Sequence, residues 1–183
     1  MSKSAEKILN TAEQLFNQYS FNAVGVDLIR DESGCSKTTL YTYFKNKQQL
    51  VAAVLQKRDN SFQQSLVDYL AGTYGVTALE KIFDWHVMWF QQQHFKGCLF
   101  VRAVAESSRQ DTEILAIVQR HKHEIYALIA HHAQDLKQAQ TVTELCYNFL
   151  EGLISRCLVD GFQADVVTQN KQIMLTLIQH LQD

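Results

Sequence analysis

The chain has no proline and only seven glycines in 183 residues. Proline and glycine punctuate turns and bulges, so their scarcity excludes a turn-rich all-β architecture and favours long uninterrupted helices. No apolar run approaches the roughly 18 residues needed to cross a bilayer. The opening MSKSAEKILNTAEQ lacks the apolar stretch of a secretory signal. A cytoplasmic protein with no membrane partner is the expectation. Cysteines at 35, 98, 146 and 157 form no CxxC pair and no zinc-ligand spacing. Reduced, core-filling thiols are expected, with a redox role for Cys98 or Cys35 as the competing reading.

Motifs of catalysis are missing too. There is no Gly-rich phosphate loop, no GxSxG and no HExxH. A carboxylate-bridged di-iron bundle needs paired Glu-x-x-His motifs, and the chain holds only a reversed His121-x-x-Glu124. Neither an enzyme nor a cofactor or metal centre is expected. His121, His123, His131 and His132 share one predicted helix; a metal or pH sensor competes there with plain solvated histidines.

What is present is a 46% apolar composition, ample for a core, and an uneven charge distribution. Residues 1–58 carry eight Lys/Arg against five carboxylates, a net of +3, and the remainder nine against fourteen, a net of −5. An N-terminal part facing a polyanion fits that asymmetry.

Ile8, Ala12, Leu15, Phe16 and Tyr19 recur at steps of three and four, which predicts an amphipathic helix over 4–19. Further helices are predicted over 26–33, 37–44, 46–70, 77–93, 98–108, 112–136, 141–161 and 165–182. Gly34 suits a left-handed helix end and Ser36 an N-cap. Asn46 with Gln49, Thr77 with Glu80 and Thr141 with Glu144 have capping-box spacing, and Asp111 suits the start of the seventh helix. Nine helices without a strand define an all-α fold.

The second and third helices are short and joined by Gly34-Cys35-Ser36, the outline of a helix-turn-helix. Ser33 to Lys47, SGCSKTTLYTYFKNK, holds three lysines, three threonines and two tyrosines but no carboxylate. At 100° per residue Leu40 and Phe44 fall on one side of the third helix; Thr38 and Thr42 lie opposite, flanked by Tyr41, Lys45 and Thr39. Hydroxyls and cations suit phosphate oxygens and base edges in a DNA groove. A merely solvated helix is the competing reading.

Residues 7–55 resemble the N-terminal domain of TetR-family transcriptional regulators, through KILNTAEQLF and VGVDLIRDESGCSKTTLYTYFKNKQQL, with Tyr41, Phe44, Lys47 and Leu50 at the family's spacing. KGCLFVRAVAE (96–106) and RHKHEI resemble a subgroup of these regulators. The resemblance implies a helix-turn-helix DNA-binding domain over 1–47 and a helical effector-binding and dimerisation domain over 48–183. It further implies a homodimer bound to palindromic double-stranded operator DNA, released by a small-molecule effector, as a repressor. Carried over by position, Lys37, Thr38 and Thr39 reach base edges, and Tyr41, Tyr43 and Lys47 hold phosphates; helical geometry adds Lys45.

Gly25 stands where many members have a capping Thr or Ser, and Ser20 replaces a common glycine. Asp27 is awkward near a DNA backbone. Fringe cations are Lys3, Lys57 and Arg58.

The last two helices carry apolar stripes, Leu145, Phe149, Leu153, Ile154 and Cys157 on one, with Ile173, Met174, Leu177, Ile178 and Leu181 on the other. Either they are intramolecular core, or two pairs form a four-helix bundle across a two-fold axis, as the resemblance implies. An effector cavity is expected among Trp85, Met88, Trp89, Phe100, Tyr126 and Tyr147, with Arg102 included if the ligand is anionic. Arg102 also stands four residues from Glu106 and can pair with it. A redox- or metal-responsive regulator of the same fold, or a non-catalytic protein-interaction domain, are the alternatives.

Overall fold

The computed structural model describes residues 2–183. Among them are nine α-helices and no strand: α1 (Lys3–Gln18), α2 (Val26–Ser33), α3 (Lys37–Tyr43), α4 (Lys47–Leu70), α5 (Gly75–Phe90), α6 (Leu99–Glu106), α7 (Thr112–Ala133), α8 (Ala139–Asp160) and α9 (Ala164–Gln182). The chain divides into two units, Met1–Ser61 with Cys98–His121, and Phe62–Gly97 with Lys122–Asp183. The divisions fall inside α4, between α5 and α6, and inside α7. No helix among the described residues is long and apolar enough to cross a membrane.

In the first unit, α1 buries Ile8, Leu9, Ala12, Leu15 and Phe16 along one face, and the Ser2 hydroxyl opens it by accepting the Ala5 N–H at 3.2 Å. Ile29 of α2, Leu40 of α3 and Leu50 of α4 are fully buried in the same cluster, which also takes in Leu99, Phe100, Ile114 and Val118 from α6 and α7. Each such leucine or isoleucine contributes about 1.5–3 kcal/mol through lost water contact. The last turn of α1 has no basic residue of its own. Arg102 of α6 supplies the charge there, donating to the carbonyls of Phe16 at 3.2 Å and Asn17 at 3.0 Å. One turn on, Glu106 accepts the Asn22 N–H at 2.7 Å.

His121 departs from the expected solvated histidine. It is buried, its Nδ1 lies 2.7 Å from Asp59 Oδ1, and the Phe100 ring stacks on it at 3.6 Å and 10°. A carboxylate buried beside an imidazole satisfies both polar groups, which is why this one histidine of α7 can enter a core. Among the described residues no three His, Cys, Asp or Glu side chains converge in a way that could hold a metal ion.

The second unit packs α5, α8 and α9 together. Leu79, Ile82 and Phe83 of α5, Cys146, Leu150 and Leu153 of α8, and Val167, Met174 and Ile178 of α9 are buried in it. Lys171 fastens α9 to α5, its ammonium 2.9 Å from Glu80 and 2.8 Å from Asp84. Burial works to lower its pKa, and the two carboxylates more than offset that. Gly97 has φ +73°, and a Cβ there would meet Leu158 Cδ2 at 2.8 Å.

Two expected capping boxes are corrected. α5 begins at Gly75, φ +58°, and α8 follows Gln138, φ +53°; neither helix is closed by a side-chain cap. Left-handed residues turn the chain two residues before Thr77 and three before Thr141, so these threonines fall inside the first turn. Glu80 serves Lys171, and Glu144 accepts the Tyr126 hydroxyl at 2.8 Å.

Replacing Leu40 by Ala leaves a void under α3 and is expected to lower unfolding free energy by about 2–5 kcal/mol in chemical denaturation. The Cys146 thiol is pushed up to about 12 by burial. Because the thiolate is the reactive form, alkylation of native protein at pH 8, followed by mass spectrometry, is expected to label Cys146 at least about a hundredfold more slowly than in the unfolded chain.

Candidate nucleic-acid interface

Three backbone events set the pitch of α3. Gly34 adopts φ +61° at the end of α2, which only glycine takes without strain. Ser36 then turns extended, and its hydroxyl accepts the Thr39 N–H at 3.0 Å. At the far end Asn46 accepts the Gln49 N–H at 2.8 Å, while the Gln49 side chain accepts the Lys45 N–H at 3.3 Å. Helix α3 is thus capped at its start and followed by a hydrogen-bonded turn into α4, and Leu40 and Phe44 anchor it from below.

The opposite face is open. Lys37, Thr38, Tyr41, Thr42, Tyr43 and Lys45 are all exposed, with 41% of Tyr41 and 43% of Tyr43 accessible. Tyrosine is amphipathic, and two so exposed beside cations form a surface ready to donate to phosphate oxygens. Thr39 is half-buried, and its hydroxyl lies 2.8 Å from the Ser36 hydroxyl. The Thr42 hydroxyl donates to the Thr38 carbonyl at 2.8 Å. Lys47, at the start of α4, is half-buried; burial lowers its pKa while the Glu106 carboxylate works the other way.

Gly25 is the N-cap of α2 with no side-chain acceptor, and it is exposed. The Ser20 hydroxyl closes the turn after α1 by accepting the Ala23 N–H at 3.0 Å, the local solution where a glycine is commoner. Lys57 and Arg58 are engaged within the fold: Lys57 donates to Asn10 at 2.6 Å and Glu13 at 2.8 Å, and Arg58 to Glu13 at 3.3 Å. The expected cation fringe is reduced accordingly. The residue that sequence reasoning left unexplained, Asp27, accepts Lys37 at 3.1 Å and Arg30 at 3.0 Å. The Lys37 hydrogen bond and charge hold its carboxyl below the usual range.

The expected effector residues fall in both units. Phe100 and Arg102 belong to the first, where Phe100 is buried on His121 and Arg102 grips α1. Trp85, Met88, Trp89, Tyr126 and Tyr147 belong to the second. There Trp85 meets Phe62 edge-on at 4.5 Å and donates its indole N–H to Ser65 at 3.1 Å, and Trp89 meets Phe95 at 5.0 Å. Met88 is exposed, and Tyr126 and Tyr147 meet edge-on at 5.5 Å.

The nine expected interface residues also divide. Leu153, Ile154, Cys157, Met174 and Ile178 are buried inside the protomer, so they serve the core and have no area left for a partner. Ile173 and Leu177 face outward, and Phe149 and Leu181 are half-buried. Leu158 and Val159, which the stripe did not include, are also exposed.

Residues 8–54 match the family model described as bacterial regulatory proteins, tetR family. An uncharacterized HTH-type transcriptional regulator of Mycobacterium tuberculosis is 31% identical over 68 residues, 37% of this chain and 34% of that protein. The chain thus spans about a third of the length of the mycobacterial relatives it matches. Over a longer span, the HTH-type transcriptional regulator UidR of Escherichia coli is 23% identical, covering 90% of this chain and 82% of that one. In fold, a TetR transcriptional regulator from Chloroflexus aurantiacus superposes with a TM-score of 0.82 at 18% identity, covering 97% of this chain and 94% of that one. A helix-turn-helix with an open, cationic and hydroxylated third helix, within a matching sequence segment, identifies residues 8–54 as a domain of the tetR family of bacterial regulatory proteins, in a chain whose fold matches that of a TetR transcriptional regulator.

Proposed function

We propose that the protein is a homodimeric repressor that reads a palindromic operator through α3 and is released from it by a small-molecule effector. Residues 1–47 carry the DNA contacts in this reading, and residues 48–183 the effector site and the dimer interface. The observation that carries it is the face of α3: Leu40 and Phe44 inward, six polar or amphipathic residues outward. Lys37, Thr38 and Thr39 meet base edges; Tyr41, Tyr43, Lys45, Lys47 and the Gly25 backbone meet phosphates. Counterion release at Lys37, Lys45 and Lys47, about one each per subunit, gives a salt slope of about −5 for a dimer, against about −3 for one half.

The effector side is built from Met88 and the aromatics Trp85, Trp89, Tyr126 and Tyr147 of the second unit, which suit an apolar or aromatic ligand. Reversing DNA occupancy from 99% to 1% requires the ligand to favour the released conformation by about 10⁴, or about 5.5 kcal/mol. Arg102 and Glu106 are suited to pass such a change on, because they hold the end of α1 and the turn after it. The dimer face is the exposed apolar edge of α8 and α9, around Leu158, Ile173 and Leu177.

Fluorescence anisotropy on duplex DNA across a salt series tests the reading. Tyr41→Ala and Lys47→Ala are expected to weaken binding to every sequence, and Lys47→Ala to flatten the dimer's slope by up to about two, one phosphate per subunit. Thr38→Ala is expected to alter sequence preference; identical losses on specific and random duplexes for all three variants would refute the division of roles. Light scattering checks the interface, with Ile173→Glu combined with Leu177→Glu expected to give monomers of unchanged helical content.

A further inference from the structure

Asp27 is a carboxylate that touches a proposed recognition residue, Lys37, and it does so from α2. Its Oδ1 accepts Lys37 Nζ at 3.1 Å and the Arg30 guanidinium at 3.0 Å, while Arg30 also holds Asp31 at 2.7 Å. All four side chains are substantially exposed. Lys37 is the first residue of α3, the end that enters a major groove in helix-turn-helix proteins. A repelling carboxylate beside it would be costly if phosphate were its neighbour. A base-pair edge is different.

In a G·C pair the guanine O6 acceptor and the cytosine N4 donor lie about 2.9 Å apart, held by the pair's own hydrogen bond. An ammonium and a carboxylate 3.1 Å apart present the complementary order, donor beside acceptor, at the same spacing. Lysine serves guanine O6 and N7, and aspartate accepts from cytosine N4. We infer that Asp27 and Lys37 act as one unit that reads a single G·C pair in each half-site, Lys37 donating to guanine and Asp27 accepting from cytosine. Arg30 holds Asp27 in place through its own contact with the carboxylate. The carboxylate also disfavours phosphate and the acceptor edges of other pairs, so it lowers non-specific affinity while it adds selectivity.

This inference rests on the DNA-binding reading above, and the test separates the two. Full-length wild type, Asp27→Ala, Asp27→Glu and Lys37→Ala are each used to select duplexes from a pool randomised across the site, and affinity for unselected duplex DNA is measured alongside. Wild type is expected to enrich G·C at one position per half-site. Asp27→Ala is expected to lose that preference by roughly tenfold or more, keep the others, and bind unselected DNA at least as tightly. Lys37→Ala should lose preference at the same position, and Asp27→Glu should retain part of it. Unchanged base preferences in Asp27→Ala overturn the inference and leave the DNA-binding reading standing. Uniform weakening on all sequences with a lowered Tm also overturns it, because Asp27 would then serve only α2. Wild type that neither enriches a sequence nor binds duplex DNA at low salt overturns both.

Discussion

Everything proposed for the N-terminal unit depends on Leu40 and Phe44 being pulled into its core. Helix α3 has seven residues, far too few to be stable by itself. It exists because those two side chains bury in the cluster shared with α1, α2 and α4, and because Ser36 caps its start while the Phe44 N–H closes its end on the Leu40 carbonyl. Burial of one side dictates exposure of the other. The hydroxyls, rings and ammonium groups are therefore presented by a rigid element, which spares the conformational entropy that a flexible loop would lose on binding.

The electrostatics of that face are more restrained than its composition suggests. Lys37 is countered by Asp27, and Lys57 and Arg58 by Glu13. Exposed pairs of this kind contribute little to stability, so their consequence lies in binding: these three cations already have partners before DNA arrives. Attraction to a duplex is moderated, and discrimination between duplexes gains in relative weight.

Much of this architecture was legible in the sequence. The apolar spacing around Ile8, Phe16, Leu40 and Leu50 revealed the helices of the first unit, and Gly34, Ser36 and Asn46 marked the turns, because each of those residues acts on its own neighbours in the chain. Where the sequence misled, a distant residue or an unusual backbone decided the outcome. Glu80 looked like part of a cap and proved to be a partner of Lys171; Thr141 looked like a helix start, but Gln138 turned the chain earlier. His121 looked solvated because its partner Asp59 lies 62 positions away. The α9 stripe could not reveal which of its members face inward, since Met174 and Ile178 are buried while Ile173 and Leu177 are not. Periodicity identifies a face but not its neighbour.

The joint between α6 and α1 has a consequence of its own. Arg102 holds the end of α1 through two peptide carbonyls, a charge meeting dipoles at short range, partly shielded from water. Counterions compete poorly for such a contact, whereas they compete strongly for phosphates. In the proposed DNA-binding reading, raising ionic strength should therefore strip the protein from a duplex without loosening its internal linkage, so that brine would leave the N-terminal helices in their unliganded arrangement, whereas the proposed effector would act by changing it.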